Sequence, residues 1–185
     1  MSSLFVHVGQ CGNQIALPFW RLAESEAGLQ WGGDDGGSQS LAAMEARCRH
    51  PLFDDVDGCA RCVMVDSEPK VVADTVRGLR TIRPGNVCLD HSGRGNNWAM
   101  GFMACAADEE RAMASSSHGS FGSAVAGGLF YDVVETIRRE AERTDALRSM
   151  VVVHSLSGGT GSGAGSAILQ HLRDYYPACW LLPVA

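Results

Sequence analysis

Lysine is nearly missing from this chain. Of its 15 basic residues 14 are arginine and one is lysine, Lys70. That excludes the phosphate-binding loop in which glycines lead into a Lys-Ser or Lys-Thr pair. A basic surplus is also missing. A net charge of −6 and a pI near 5.4 argue against a nucleic-acid partner, which needs a basic face. No apolar run reaches the roughly 18 residues that span a bilayer, so no membrane insertion is expected. The opening MSSLFVHVGQCGNQ has no basic n-region and its apolar run breaks at Gly9, unlike a secretory signal. The seven cysteines are odd in number and lie among apolar neighbours, which does not describe a disulfide scaffold. Cys59 and Cys62 form a CxxC, but no second pair stands at zinc-binding spacing. The histidines form no HxxxH or HExxH pair, and no Ser-His-Asp set is evident. With 45% apolar and 19% charged residues the chain is too hydrophobic to be disordered. A soluble, reduced, cytoplasmic chain is expected.

Glycine, by contrast, is plentiful and clustered: 22 residues, about 12% against a background of roughly 7%. Leu4 to Val8 reads as a strand ending at Gly9. A turn then leads to Asn13 as helix N-cap, and Ile15, Phe19, Leu22 and Ala23 recur at helical spacing, with Pro18 predicting a kink or a late start. Residues 32 to 40 are a polar, glycine-rich loop. Cys62 to Val65 is a second strand, followed by a helix through Arg80, and Val87 to Leu89 a weak third. Residues 106 to 128, rich in Ala, Ser and Gly, read as a flexible insertion. A long helix follows, with Phe130, Val133, Val134, Ile137 and Ala141 on one face and a solvated face of Glu135, Arg138, Arg139 and Glu142 on the other. Met150 to Val153 is a strand, Ala164 to Tyr175 a helix, and Cys179 to Val184 a last strand. Strands that are continuous apolar runs, alternating with helices, predict an α/β fold with a parallel sheet covered on both faces. The polar turns after the strands gather at one edge, where such folds bind ligands.

Between a buried strand and a helix lies Ser157-Gly158-Gly159-Thr160-Gly161-Ser162-Gly163. Backbone without Cβ atoms can approach a ligand closely and aim several N–H groups at one spot, and the following helix adds its positive end. A diphosphate or triphosphate fits there without a lysine, with the Thr160 and Ser162 hydroxyls as further donors. A glycine turn that only allows tight packing is the plainer alternative, but five glycines between 158 and 165 exceed that need. Gly159 to Ala164 also formally fits a G-x-G-x-x-A dinucleotide fingerprint, which would make the chain part of an NAD(P)-dependent oxidoreductase. That fingerprint belongs in the first βα unit, with an acidic residue about 20 positions on, and here it comes late. Gln10 and Cys11 close the first strand and face the same crevice. Asp66 and Glu68 bracket the second strand's end, suiting either Mg²⁺ held through water beside phosphates or an acidic N-cap. Asn96 and Asn97 offer amides for phosphate or for capping, with Trp98 as a core packing anchor.

GQCGNQI at 9–15, VDSEP at 65–69, GRGNNWAMG at 93–101 and SGGTGSGAGS at 157–166 stand in the order found in tubulins, and the chain resembles that family. The last motif is shared with the FtsZ branch of the superfamily. VMVDSEPKVV and Ser157, in place of a first glycine, look most like delta-tubulin. The resemblance implies a doubly wound, Rossmann-like GTPase domain that binds GTP or GDP with Mg²⁺ and is incomplete at its C-terminus. It assigns phosphate and base contacts to Gln10 and Cys11, and Mg²⁺ and γ-phosphate contacts to Glu68 with Asp66. Asn96 reaches the γ-phosphate. Ser155 and the turn of Ser157, Gly158, Gly159, Thr160, Gly161, Ser162 and Gly163 cradle the phosphates. It implies tubulin subunits or centriolar and basal-body proteins as partners, and a cytoskeletal location in the cytoplasm, at centrioles or in cilia. The family's catalytic acidic residue lies beyond Ala185, so hydrolysis by this chain alone is not implied, and a tubulin-like module that only binds partners is a further alternative. The insertion after Phe102 would lie near the face that meets the next subunit along a filament.

Overall fold

In a computed structural model the described residues are 2–27, 45, 48–90, 92–116 and 128–185, with side chains described outside 112–116. The elements alternate as the apolar runs require: β1 (Ser2–Val8), α1 (Gly9–Glu26), β2 (Cys62–Asp66), α2 (Pro69–Arg77), β3 (Val87–Leu89), α3 (Trp98–Ser116), α4 (Leu129–Glu142), β4 (Leu147–Val153), α5 (Gly165–Tyr175) and β5 (Trp180–Val184). A 3₁₀ turn, Pro84–Asn86, precedes β3, and a π-helical turn, Gly159–Ala164, leads into α5. All four strand pairings are parallel and the sheet order is β3-β2-β1-β4-β5. The chain therefore builds outward from β1 in one direction and then restarts at β4 on its other side. The gap between the ends of β1 and β4 is the topological switch point of a doubly wound fold.

Two apolar layers hold the sheet. Leu4, Val6, Val8, Val63, Val65, Met150 and Val152 pack against Phe130, Val133 and Ile137 of α4, Cys105 of α3, and Ile168 and Leu172 of α5. On the opposite face Phe5, Cys62 and Met64 meet Trp20 and Ala16 of α1 and Val72 of α2, together with Phe53. The second layer stops short of β5. Trp180, Leu182 and Val184 are 81%, 56% and 44% exposed, and no helix among the described residues covers this face of β5.

Three local expectations are corrected. The first helix starts at Gly9, four residues before the expected cap, and runs through Pro18 to Glu26 without a break in its assignment. Asn13 is not an N-cap but a buried bracket: its side-chain amide donates to the carbonyls of Gly9 and Val65, both at 2.9 Å. Residues 106 to 116 of the expected insertion continue the helix that begins at Trp98, while 117–127 and the loop at 32–40 lie outside the described residues. Trp98 is 49% exposed and stacks on Phe102 with ring centroids 4.8 Å apart, a surface brace and not a core anchor.

Candidate functional site

Four strands deliver their turns to one place. After β1 the chain passes into α1 with no intervening loop, which Gly9 permits by adopting φ +73°. A side chain there would also put its Cβ 2.8 Å from the Gly161 amide nitrogen, so the first and fourth turns touch backbone to backbone. Asp66 ends β2 and Ser67 and Glu68 follow it, and after β4 comes the glycine run. Ser67 and Thr160 join hydroxyl to hydroxyl at 2.6 Å, and the Gly159 N–H donates to the Gly95 carbonyl at 2.9 Å. The third turn is thereby tied to the fourth.

These turns enclose a cleft of about 410 Å³ lined by Gln10, Cys11, Gln14, Asp66, Ser67, Glu68, Val71, Arg94, Gly95, Asn96, Ser155, Ser157, Gly158, Gly159, Thr160 and Gly161. Eleven of the thirteen residues expected from sequence thus line one cavity; Ser162 and Gly163 do not. The Ser162 hydroxyl is spent on the Gly158 carbonyl, and a Cβ at Gly163 would lie 2.8 Å from the Gly101 Cα. These two residues shape the π-helical turn against α3. Sequence reasoning missed Gln14, Ser67, Val71, Arg94 and Gly95. Gln14 stands one helical turn after Gln10, a spacing that could have flagged it, and the other polar ones sit inside motifs already singled out.

The cleft's polarity comes from helix starts. No side chain caps α1, whose N-terminus carries Gln10 and Cys11, nor α2, which begins after Glu68, nor the π-helical turn after Gly158. An uncapped N-terminus leaves N–H groups without acceptors and carries the positive end of the helix dipole. The contrast is α3, where the Asn97 side chain accepts from the Ala99 N–H at 3.0 Å. Asn97 therefore takes the capping role, leaving Asn96 to face the cleft. Beneath the glycine turn, the buried His154 ring meets the Gly161 carbonyl through Nδ1 at 3.1 Å, and the Ser155 hydroxyl donates to the Ser157 carbonyl at 2.6 Å.

The two carboxylates differ. Asp66 is 4% exposed; burial raises its pKa above the ordinary value, although the amides of Glu68 and Ser67 and the Asn13 side chain oppose that. Its oxygens accept from the Glu68 N–H at 3.3 Å and the Asn13 amide at 3.4 Å. Glu68 is exposed to the cleft. No group of three or more metal-ligating side chains occurs among the described residues. Two carboxylates are nonetheless a fitting donor set for Mg²⁺, which keeps several waters and shares its shell with phosphate oxygens. Glu68 is the freer donor and Asp66 the braced one.

Fold and cleft together define a doubly wound α/β domain with a polar cleft at its switch point. Residues 2–118 and 112–184 match the Tubulin/FtsZ family, GTPase domain, and the chain belongs to that family. It is 35% identical over 175 residues to a tubulin beta chain of Bombyx mori, covering 93% of this chain and 34% of that protein. Against a tubulin beta chain of Trichophyton rubrum it is 34% identical over 176 residues, 94% and 35% of the two chains. Against the tubulin beta-1 chain of Homo sapiens it is 31% identical over 175 residues, 93% and 34%. The chain spans about a third of the length of these curated relatives. The stretch that formally fits a dinucleotide fingerprint is the π-helical turn Gly159–Ala164 after the fourth strand, and the family match leaves that alternative without support. No helix among the described residues is long and apolar enough to cross a membrane.

Proposed function

We propose that this chain is the nucleotide-binding part of a tubulin-type cytoskeletal protein and that its cleft takes GTP or GDP with Mg²⁺. The observation that carries this reading is the convergence of three N-termini without side-chain caps on one cleft of about 410 Å³. The glycine turn from Gly158 to Gly161 gives amide donors to the phosphates, and Thr160 is held in place by Ser67. Ser155 and Ser157 flank the turn. Gln10 and Cys11 form the wall under the nucleoside, and Asn96 reaches from the opposite rim to the terminal phosphate. Mg²⁺, when bound, neutralises phosphate charge, and Glu68 would hold it through water with Asp66 behind. Other tubulin subunits are the partners of this reading, supported by relatives that are themselves named as tubulin chains. A delta-like role at centrioles, basal bodies or cilia is the finer reading, supported by VMVDSEPKVV at 63–72 and by Ser157.

The test is a titration of the purified chain with labelled GTP, ATP and NAD, with and without Mg²⁺. The expected result is a preference for GTP that is strengthened by Mg²⁺ and lost in Gly161→Ala, whose Cβ would press on the Ser155 hydroxyl. Far-UV circular dichroism shows that the variant is folded. Binding of NAD in place of GTP, or no nucleotide binding by the folded chain, overturns the reading.

A further inference from the structure

Asp66 and Glu68 put two carboxylates on a wall that is proposed to face a polyphosphate. Among the described residues lining the cleft, Arg94 is the single cation; Lys70, the chain's one lysine, is exposed and outside it. Arg94 cannot drift away from the glycine turn, because its backbone is pressed against Gly159. A Cβ on Gly159 would lie 2.7 Å from the Arg94 carbonyl carbon, and the neighbouring Gly95 carbonyl accepts the Gly159 N–H. The side chain is 15% exposed and donates from Nη2 to Asp90 Oδ2 at 2.7 Å. Its Nε is buried and has no hydrogen-bond partner among the described residues.

We propose that Arg94 is the cationic phosphate ligand of the cleft, turning its guanidinium from Asp90 to the phosphate chain when nucleotide binds. This rests on the nucleotide reading above and adds a residue to it. A guanidinium carries five donors in a planar fork that matches two phosphate oxygens, and only one terminal nitrogen is used on Asp90. Asp90 is not stranded by the exchange. Its Oδ2 also accepts from the Ser92 hydroxyl at 2.7 Å and its Oδ1 from the Ser92 N–H at 3.3 Å. The cation thus moves between two anions, and the unpartnered Nε gains an acceptor.

The experiment measures GTP and guanosine affinity, with Mg²⁺, for the chain and for Arg94→Ala, Arg94→Lys and Asp90→Asn, each checked for folding by circular dichroism. Arg94→Ala is expected to weaken GTP about 10- to 100-fold, the worth of one charge-assisted contact, with guanosine unchanged. Arg94→Lys keeps part of the affinity. Asp90→Asn releases the guanidinium and keeps or tightens GTP binding. If Arg94 only braces the loop through Asp90, then Asp90→Asn weakens GTP as much as Arg94→Ala, and the assignment is overturned. It is also overturned if Arg94→Ala binds GTP like the parent chain. A folded parent chain that binds no GTP is a different result: it removes the nucleotide reading itself, and this assignment with it.

Discussion

Close to the cleft proposed for nucleotide lies a buried histidine whose protonation the fold opposes, and this makes a sharp pH prediction. His7, on β1, is 1% exposed. Its Nε2 lies 3.0 Å from the Trp20 indole nitrogen, which can only donate, so Nε2 must be the acceptor. The ring proton therefore sits on Nδ1 and is donated to the Gly12 carbonyl at 3.1 Å. A second proton would have to go on Nε2, facing the indole N–H. Burial pushes the pKa down from 6.5 to about 4, against a smaller opposing pull from the Gly12 carbonyl. The sign follows. The unfolded chain binds this proton below pH 6.5 and the folded chain does not until about 4, so the contribution is full above 6.5 and is lost as pH falls through that window. At about 1.4 kcal/mol per pH unit the loss is about 3 kcal/mol, a large share of the roughly 5–15 kcal/mol that holds a domain together. The assay is urea unfolding at intervals from pH 7 to 4.5 for the parent chain and His7→Gln. The variant starts less stable, because the Trp20 contact is disturbed, but its stability should fall less steeply by about 1.4 kcal/mol per pH unit. Groups common to both chains, such as His171 with its own lowered pKa, cancel in the difference. Equal slopes, or a His7 ring resonance that titrates near 6.5, would refute the reasoning.

Two further substitutions probe the turns and their support. Gly9→Ala places an L side chain at φ +73° and a Cβ 2.8 Å from the Gly161 amide nitrogen; the conformation alone costs about 1–2 kcal/mol, so thermal stability should drop and GTP affinity fall at least about tenfold, and an unchanged melting temperature with unchanged binding would refute the contact. Arg83→Met removes the cation that meets Asp54 at 2.9 Å, Asp57 at 2.7 Å and Glu140 at 2.7 Å. The Asp54 and Glu140 side chains are 1% and 3% exposed, but Arg143 stays 3.6 Å from Asp54 and 3.9 Å from Glu140, so a loss of about 3 kcal/mol, the low end for a broken buried pair, is expected at pH 7 by urea unfolding. Burial raises the pKa values of Asp54 and Asp57, but the Val56 amide for Asp54, hydrogen bonds for Asp57, and Arg83 for both outweigh it and hold them below the ordinary 3.8. Their contribution is present above that value and is lost as pH falls through the lowered ones, so the gap between parent and variant should narrow under acid conditions.

The parallel strands, the shared edge and most of the residues that line the cleft were readable from sequence because each depends on local chemistry. Continuous apolar runs such as Cys62 to Val65 allow only buried parallel strands, and glycine-dense turns after them have one edge to occupy. What was not readable depends on distant partners. Asn13 looks like an N-cap from its neighbours, yet its amide reaches the Val65 carbonyl across 52 positions of sequence, and that bracket lets α1 begin at Gly9. Ser162 looks like a ligand donor until the π-helical turn brings its hydroxyl onto the Gly158 carbonyl. Ala- and Ser-rich sequence from 106 onward lacks the apolar period that marks a packed helix, but the backbone continues helical to Ser116 because that composition tolerates a helix without demanding one.

The last strand shows where a pattern states more than the fold delivers. Trp180-Leu181-Leu182-Pro183-Val184 is apolar at every position, the signature of a strand buried on both faces. Its pairing with β4 sets Leu181 opposite Met150 and Pro183 opposite Val152, on the face packed by α5. The intervening Trp180, Leu182 and Val184 share the other face with Val151 and Val153 and are largely bare. A strand with one wet face is selected for alternation, and here alternation is absent. Composition predicts a covered face here, and the described residues leave it open. These bare positions fall on the side of the sheet where, among the described residues, α1 and α2 reach only as far as β1 and β2, so the apolar pattern states a cover that these residues do not supply.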